Sequence, residues 1–241
     1  MPGDDVRLLV LRHGRSEWNA VRRWQGSYDS PLDAVGRSQA AAVADELAAI
    51  DIAWARPVTR TLGRAAETAE IISRRLALEP PRTDSRLVEA HAGEWQGLTP
   101  GGIEAGDPGW LAAHRRPAGF ESLDSVVARA TAALVDAARE VPDGHRGLVV
   151  SHSGLIRSVV RSLGLTDTRI PNLGGIWFRV VPHSDSSADR SRVAGADVDR
   201  GRVLVDDVFD PGGVVISGVD APGEDPGEQA DETRHAGRPQ R

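Results

Sequence analysis

The stretch that decides the fold is RLLVLRHG, residues 7–14. Its first five residues form a short apolar run that stops just before the arginine and His13, which predicts a buried parallel strand ending in a loop. A second run of this kind, GLVVS at residues 147–151, is followed directly by His152. Because open α/β sheets bind their ligands at the carboxyl ends of parallel strands, we expect both histidines to lie at a binding site.

Helical patterns accompany the two predicted strands. Apolar residues recur at spacings of three and four in residues 37–50, 62–76 and 123–140, all rich in alanine, and a further helix is expected over residues 155–163. Strand and helix therefore alternate along the chain. This alternation predicts an α/β fold with three layers, in which a mostly parallel central sheet carries helices on both faces.

The length of 241 residues allows one such domain and a tail. We assign residues 1–183 to the domain, with a late strand over residues 177–181. Residues 184–210 are expected to form a polar loop, with an edge strand at residues 203–205 that pairs with the late strand. Residues 211–241 are dominated by Gly, Pro, Asp and Glu and are predicted to be a disordered acidic tail.

The composition excludes several kinds of catalysis. The chain contains no cysteine, so thiolate catalysis, thiolate metal sites and disulfides are impossible. All 29 basic residues counted as Lys or Arg are arginines, which excludes Schiff-base chemistry and a lysine-bearing phosphate loop. Arginine must therefore provide all recognition by permanently cationic side chains, and its planar guanidinium suits phosphate and carboxylate groups.

Charge and hydropathy limit the partners and the location. The net charge of -6 argues against nucleic acid as a general partner, because such binding needs a basic face. An anionic small molecule would need a local basic pocket instead. The sequence has no apolar run of membrane-spanning length and no basic, signal-like N-terminus. We therefore expect a cytoplasmic protein that does not bind membranes.

Residues 11–19, LRHGRSEWN, carry a more specific signal. They resemble the signature that opens the histidine phosphatase (phosphoglycerate-mutase-like) superfamily, in which Arg-His-Gly follows the first strand and an Asn stands five residues beyond the Gly. Further stretches match the family in the same order, so that the resemblance spans roughly residues 6–181. These stretches are residues 22–36, 62–70, 86–97 and 150–154.

The resemblance implies a role for each matching residue. His13 would be the nucleophile, Glu89 the general acid, and His152 would act in both catalysis and phosphate binding. The phosphate pocket would combine two arginines and a histidine with an amide as a lesser contact, namely Arg12, Arg64, His152 and Asn19. The loop on the substrate side would contribute Arg22, Gln25 and Gly26.

Two assignments have rivals within the chain. Where the family usually has Ser-Pro ahead of its second arginine, this chain has Arg60 and Thr61, and an alternative alignment would make Arg60 the second phosphate-binding arginine. Arg64 is preferred because the LGRA and TAE segments around it then match the family together. For the general acid, Glu94 is the local rival of Glu89.

The chemistry of phosphoryl transfer supports this set of residues. Several convergent donors must stabilise the charge on the three equatorial oxygens, and two guanidinium groups with a second imidazole supply them. His13 must be neutral at one ring nitrogen to attack, which requires its other nitrogen to donate to a carbonyl or carboxylate. The sequence does not identify that acceptor. The leaving alkoxide also needs a proton from a carboxyl group.

The predicted function is hydrolysis of a small anionic phosphomonoester through a phosphohistidine, without a metal or other cofactor. The nearest alternative is a phosphoglycerate mutase, which is disfavoured because the connection from residue 68 to residue 89 is short and lacks the Glu-Arg-(His/Arg)-Tyr-Gly stretch of those mutases. A non-catalytic phosphate-binding module would be expected to have lost catalytic residues that are present here. A homodimer is conceivable, since dimers are common in the family.

One segment has no clear periodicity. Residues 91–119 are rich in Gly, Pro and Trp. Their length and composition are typical of a functional insert, and we expect a lid or a wall of the substrate pocket there.

Overall fold

A computed structural model describes residues 5–60, 63–166, 169–182, 196–198 and 201–209. The predicted tail at residues 211–241 and most of the predicted polar loop lie outside the described residues. The strands in chain order are β1 (Val6–Arg12), β2 (Val58–Thr59), β3 (Arg82–Thr83), β4 (Gly147–Ser151), β5 (Gly175–Pro182), β6 (Ala196–Val198) and β7 (Gly201–Phe209). The helices are α1 (Glu17–Ala20), α2 (Ala34–Ala49), α3 (Arg64–Arg75), α4 (Pro100–Gly106), α5 (Leu123–Arg139) and α6 (Ser153–Ser162).

In the described part of the chain, the strands form one seven-stranded mixed sheet in the order β3-β2-β4-β1-β5-β7-β6. Strands β1 to β4 run parallel to one another, and β5 to β7 pair in antiparallel fashion at the other side of β1. The expected α/β fold with a mostly parallel sheet is confirmed. The antiparallel direction of β5 against β1 was not foreseen. A hairpin of residues 177–181 with residues 203–205 was expected, and β5 and β7 do pair in antiparallel fashion.

Helices cover both faces of the sheet, which gives the three expected layers. On one face, α5 and α6 pack on side chains such as Val10, Val149 and Phe178. On the other face, α2 and α3 pack on Leu9, Leu11 and their neighbours. Consecutive residues of a strand point to opposite faces. This is why the uninterrupted apolar run of β1 serves both cores.

Capping residues explain where the main helices begin. Asp33 caps α2, and its Oδ1 accepts from the amide of Gly36 at 2.7 Å, so the helix starts before the predicted residue 37. Ser122 caps α5, where its hydroxyl accepts from the amide of Ser125 at 3.2 Å. Helix α3 begins after Gly63, whose φ of +81° is readily adopted only by glycine.

The parallel pairing of β1 and β4 places the two predicted catalytic histidines after adjacent strand ends. Strand β1 lies next to β4, with Arg12 opposite Ser151, so His13 and His152 follow neighbouring strands at the same edge of the sheet. Strand β5 enters from this edge too, because it runs antiparallel to β1. The segment before it, residues 169–174, is therefore held at the carboxyl edge, where the amide of Leu173 donates to the carbonyl of Arg12 at 3.1 Å.

The late strands belong to the same sheet as the rest of the fold. Strand β7 pairs with β5 along its length, from Gly175 opposite Phe209 to Pro182 opposite Gly201. The division of the chain at residue 183 stays a prediction. None of the helices in the described part of the chain has the length and hydropathy needed to cross a membrane.

Candidate active site

His13 lies directly after β1 and is almost fully buried. Its Nδ1 is 2.6 Å from the carbonyl oxygen of Gly14, and its Nε2 is 3.0 Å from Nε of Arg64. A guanidinium nitrogen can only donate, so Nε2 must accept and the ring proton must be on Nδ1. The acceptor that the sequence did not identify is therefore the Gly14 carbonyl, and the lone pair of Nε2 faces the pocket side occupied by Arg64.

The electrostatic surroundings keep His13 neutral. Burial lowers the pKa of His13 well below its ordinary value, and the positive charges of Arg64 and Arg12 lower it further. The hydrogen bond to Gly14 acts in the opposite direction. The imidazole is thus held in the form that can act as a nucleophile.

Arg64 is the first residue of α3 and is 1% exposed. Its Nη1 donates to the carbonyl of Tyr28 at 2.7 Å and its Nη2 to the carbonyl of Gly26 at 3.2 Å. Burial lowers the pKa of Arg64 to about 10, and the negative charge of Glu89 partly opposes this. The guanidinium is thus fixed by two backbone carbonyls while its Nε contacts His13.

Arg12 is the last residue of β1. Its Nη1 donates to the carbonyl of Ile170 at 2.8 Å, within the segment that precedes β5. Burial lowers the pKa of Arg12 to about 10, again against the charge of Glu89. Among the described residues, its buried Nε has no hydrogen-bond partner. Arg12 therefore retains a donor for a ligand.

His152 follows β4 and is fully buried. Its ring centroid lies 5.1 Å from that of His13, with 62° between the ring planes. Within the described part of the chain, neither of its ring nitrogens has a hydrogen-bond partner. Burial lowers the pKa of His152 well below its ordinary value, and Arg64 contributes to the same shift. A buried polar group without a partner is rare, and this one is oriented edge to face with the predicted nucleophile.

Glu89 lies against the N-terminus of α6. Its Oε2 accepts from the amide of Gly154 at 3.0 Å, and its Oε1 accepts from the amides of Leu155 at 3.0 Å and Ala90 at 2.8 Å. Because α6 begins directly after His152, this contact places the carboxylate beside the histidine pair. Its rival Glu94 is exposed and lies on the predicted insert.

Asn19 reaches the site indirectly. It forms a capping box with Ser16 at the start of α1, and its Oδ1 accepts from Nδ2 of Asn172 at 3.3 Å. The same Nδ2 donates to the backbone carbonyl of His13 at 3.0 Å. Sequence reasoning missed Asn172, whose only signal was its place just ahead of a glycine pair and the late strand.

The substrate-side residues differ in their positions. Gly26 is buried with a φ of +52°, and its carbonyl holds Arg64. Gln25 is buried, and its Oε1 has no hydrogen-bond partner among the described residues. Arg22 is exposed at the end of α1, where its amide donates to the carbonyl of Asn19. The structure thus brings Gly26 to the pocket and leaves Arg22 at the surface.

The insert at residues 91–119 packs against this substrate-side loop. Trp95 is fully buried and meets Trp24 edge to face, with the ring centroids 5.3 Å apart. The amide of Trp24 donates to the carbonyl of Leu98 at 2.8 Å. The guanidinium of Arg116 lies 5.8 Å from both tryptophan rings. The insert and the substrate-side loop therefore share one cluster of packed aromatic rings. The function of the insert as a lid stays a prediction.

Buried neutral imidazoles, guanidinium groups and one carboxylate converge here at the carboxyl edge of a parallel sheet. Such a set can bind a phosphate group and stabilise the charge that develops in phosphoryl transfer. Within the described residues, no group of three or more His, Asp or Glu side chains is arranged to hold a metal ion.

Comparison with known proteins places the chain in a family. Residues 8–174 match the Histidine phosphatase superfamily (branch 1), and the chain belongs to this superfamily. It is 35% identical to a glucosyl-3-phosphoglycerate phosphatase of Mycolicibacterium vanbaalenii, over 76% of this chain and 87% of the relative. It is also 36% identical to phosphoglycerate mutase-like protein 4 of Arabidopsis thaliana, over 65% of this chain and 70% of the relative.

Solved structures agree with the sequence relatives. The native structure of a mycobacterial glucosyl-3-phosphoglycerate phosphatase superposes with a TM-score of 0.66 at 31% identity, covering 84% of this chain and 98% of that chain. The expectation of a histidine phosphatase with the phosphoglycerate-mutase-like fold is confirmed.

Proposed function

We propose that this phosphatase hydrolyses a small anionic phosphomonoester through a phosphohistidine at Nε2 of His13, without a metal or other cofactor. The observation that carries the proposal is the geometry of His13. Its Nδ1 proton is directed to the Gly14 carbonyl and its Nε2 lone pair is directed into a pocket of buried donors. A neutral, oriented imidazole among cationic groups is what in-line attack on a phosphate ester requires.

In the first step, the Nε2 lone pair of His13 forms a bond to phosphorus while the bond from phosphorus to the ester oxygen breaks. Arg12, Arg64 and His152 donate to the equatorial oxygens, where negative charge must be stabilised. The Gly14 carbonyl, 2.6 Å from Nδ1, supports the positive charge that develops on the ring. The alcohol leaves after it takes a proton from the carboxyl group of Glu89.

In the second step, a water oxygen attacks phosphorus, the bond from phosphorus to Nε2 breaks, and Glu89 takes the proton of the water. Inorganic phosphate then leaves. Glu89 thus acts as the acid in the first step and as the base in the second. The amides of Gly154 and Leu155 hold the carboxyl group in place for both steps.

The substrate and the surroundings of the enzyme are part of the proposal. Glucosyl-3-phosphoglycerate is the first ester to test, because a relative at 35% identity is named as its phosphatase. We further expect a cytoplasmic enzyme that does not bind membranes. Its net charge of -6 argues against binding of nucleic acid. Whether two copies associate as a homodimer is tested by its mass in solution.

The decisive experiment measures release of inorganic phosphate from glucosyl-3-phosphoglycerate, 3-phosphoglycerate, sugar phosphates and nucleoside monophosphates in the presence of EDTA. We expect turnover in the wild type and its loss in His13→Ala, with an acid-labile phosphoprotein trapped by rapid quench only when His13 is present. His145→Ala, which alters a partly buried histidine in the turn before β4, is the matched control and should remain active.

Other outcomes would contradict the proposal. Full turnover in His13→Ala would exclude His13 as the nucleophile. Loss of turnover with EDTA, restored by a divalent metal, would exclude the metal-independent route. Isomerisation of 3-phosphoglycerate without phosphate release would favour a mutase, the activity in the name of the Arabidopsis relative.

A further inference from the structure

Arg60 lies at the same edge of the sheet as the histidine pair. Strand β2 is parallel to β4, with its last residue Thr59 opposite Val150, and the Thr59 hydroxyl donates to the Val150 carbonyl at 2.9 Å. Arg60 is the next residue, so it continues the row that Ser151 and Arg12 occupy at the ends of the two neighbouring strands. Arg60, His152 and His13 therefore follow three adjacent parallel strands at the same edge of the sheet.

Burial makes this arginine unusual. Arg60 is only 8% exposed. Among the described residues, no acceptor lies within hydrogen-bond distance of its buried Nη1. A buried cation normally has an acceptor, because an unsatisfied charged donor in a low-dielectric site is unfavourable. The hydrogen-bonding capacity of this guanidinium is thus available to an anion that enters the pocket.

The charge of Arg60 acts on the catalytic groups. Burial is the main cause of the lowered pKa values of His13 and His152, and the positive charge of Arg60 contributes to both. For His152 its contribution exceeds that of Arg12, whereas for His13 Arg12 contributes more. Because β2 lies directly beside β4, the strand that leads to His152, Arg60 stands on the His152 side of the pocket.

The residue type at this position distinguishes the chain from the family pattern, which usually has Ser-Pro where this chain has Arg60 and Thr61. A serine would offer one neutral donor, whereas a guanidinium offers five donors and a permanent charge. The two arginines that competed for one role in the sequence, Arg60 and Arg64, both lie at the site.

We infer that Arg60 is a third phosphate-binding arginine, which donates to the transferred phosphoryl group from the His152 side and adapts the pocket to fully dianionic phosphate esters. This inference rests on the proposed function. With Arg12 and Arg64, it brings three guanidinium charges to a site where the carboxylates of Glu89 and Asp29 act on Arg64. The excess positive charge matches a phosphoryl dianion, and inorganic phosphate should therefore bind as a competitive inhibitor.

The test compares Arg60→Met, Arg60→Lys and Arg56→Met by their inhibition constants for inorganic phosphate and orthovanadate, together with kcat, KM and melting temperature. Methionine keeps a long apolar chain without the charge, and lysine keeps the charge without the fork. Arg56 lies in the same segment but is exposed, with its Nε donating to the carbonyl of Pro80. It is the matched control.

We expect Arg60→Met to weaken both inhibitors about ten- to a hundredfold, which is the range for loss of one charge-assisted donor. Arg60→Lys should recover part of this loss, and Arg56→Met should resemble the wild type. An unchanged inhibition constant in Arg60→Met would overturn the inference. So would a lower melting temperature with normal inhibition of the folded enzyme, because that result assigns Arg60 a structural role.

The His13→Ala variant separates this inference from the proposed function. Loss of turnover in His13→Ala together with normal phosphate inhibition in Arg60→Met refutes the third arginine alone. Full turnover in His13→Ala refutes the phosphohistidine route, and phosphate binding to Arg60→Met, measured directly by calorimetry, then still tests whether Arg60 binds the anion.

Discussion

The tautomer of His13 follows from two contacts, one with the next residue in the chain and one with the first residue of α3. Gly14 supplies the acceptor for Nδ1 one residue away, and Arg64 supplies a donor for Nε2. The amide of Gly14 in turn donates to the Thr68 hydroxyl at 3.1 Å, and that hydroxyl donates to the carbonyl of Arg64 at 2.7 Å. His13, the proposed nucleophile, and Arg64 are thus coupled through α3 as well as directly.

Burial of the neutral histidines predicts a dependence of stability on pH. The folded-state pKa of His13 lies well below the ordinary 6.5, so below pH 6.5 the unfolded chain takes up a proton that the folded chain does not. Stability contributed by this group is therefore present above pH 6.5 and is lost as the pH falls. The loss should be about 1 kcal/mol between pH 6.5 and 5.5.

Urea unfolding of the wild type and of His13→Gln at pH 7.5, 6.5 and 5.5 measures this contribution. The variant should lose about 1 kcal/mol less than the wild type over the acidic interval. His145→Gln, which replaces a partly buried histidine in the turn before β4, should follow the wild type. Identical pH dependence in the wild type and His13→Gln would show that His13 titrates normally in the folded enzyme.

Individual site residues were predictable to the extent that they lie next to a motif. His13 and His152 follow apolar strands, and Arg64 stands in a recognisable segment. Asn172 has no such neighbour, since its contact with the His13 carbonyl spans 159 positions in the sequence. Sequence spacing could not decide whether Arg60 or Arg64 is the second phosphate-binding arginine. Arg60 follows the end of β2 and Arg64 begins α3, and both elements lead to the same pocket.

At the scale of elements, the N-terminus of α6 holds two residues of the proposed mechanism, His152 and Glu89. His152 occupies the N-cap position of this helix, and the first turn offers two amides to Glu89. This contact is close because residue 154 is a glycine. A Cβ at Gly154 would lie 2.6 Å from Oε1 of Glu89 and 3.0 Å from its carboxyl carbon.

Gly154→Ala should therefore displace Glu89 without unfolding the enzyme. Alanine favours a helix by up to about 1 kcal/mol over glycine, which offsets part of the strain of the collision. We expect kcat to fall about ten- to a hundredfold, with a smaller change in KM and little change in urea midpoint. Gly101→Ala in α4, where a Cβ meets nothing within 4 Å, is the control. An unchanged kcat in Gly154→Ala would remove Glu89 from the proton-transfer step.

Helix α5 holds the segment that leads to Glu89. Nη1 of Arg129 donates to the carbonyls of Arg86 at 2.7 Å and Val88 at 2.6 Å, and its other nitrogens bond to Glu121. Glu121, which lies just ahead of the start of α5, thus has Arg129 as a direct partner. This pair is mostly buried, so removal of the guanidinium leaves Glu121 without its ion pair and takes a donor from each of the two carbonyls.

Arg129→Met should lower the free energy of unfolding by about 2 to 4 kcal/mol, measured by urea denaturation. It should also lower kcat, because the backbone ahead of Glu89 loses its anchor. Arg37→Met, which breaks the half-exposed pair with Glu67, should change stability by no more than about 1 kcal/mol. Equal effects of the two substitutions would argue against an anchoring role for Arg129.

The elements themselves were predicted better than their directions. Helices and strands with a clear period appear close to their expected bounds. The direction of β5 was not predictable, because the alternation of strand and helix favours parallel crossovers and carries no signal for a return to the carboxyl edge. That return places Ile170 and Asn172 beside Arg12 and His13, which is why these contacts also went unseen.

Across the whole molecule, the residues of the apolar cores and the residues of the candidate site lie at different parts of the sheet. The two apolar cores flank the middle of the strands, and the polar site residues extend from the carboxyl ends of β1, β2 and β4. The three-layer arrangement was predictable because composition and period decide which residues are buried. The pairing of β7 with β5 through a bulge between Trp177 and Phe178 depends on contacts between distant segments and left only a weak signal.

This separation predicts that a large core substitution away from the carboxyl edge reduces stability and spares catalysis. Phe178 is fully buried opposite Leu8 on β1, four residues and so about 13 Å along the strand from Arg12. Phe178→Ala should lower the free energy of unfolding by about 3 to 5 kcal/mol while the folded enzyme keeps its kcat. Leu165→Ala, at a position 37% exposed, should change stability by about 0.5 kcal/mol or less. If kcat instead fell in Phe178→Ala under conditions where urea titration shows the enzyme to be folded, packing on β5 would have to be transmitted along β1 to His13, and the site would not be independent of the core beneath it.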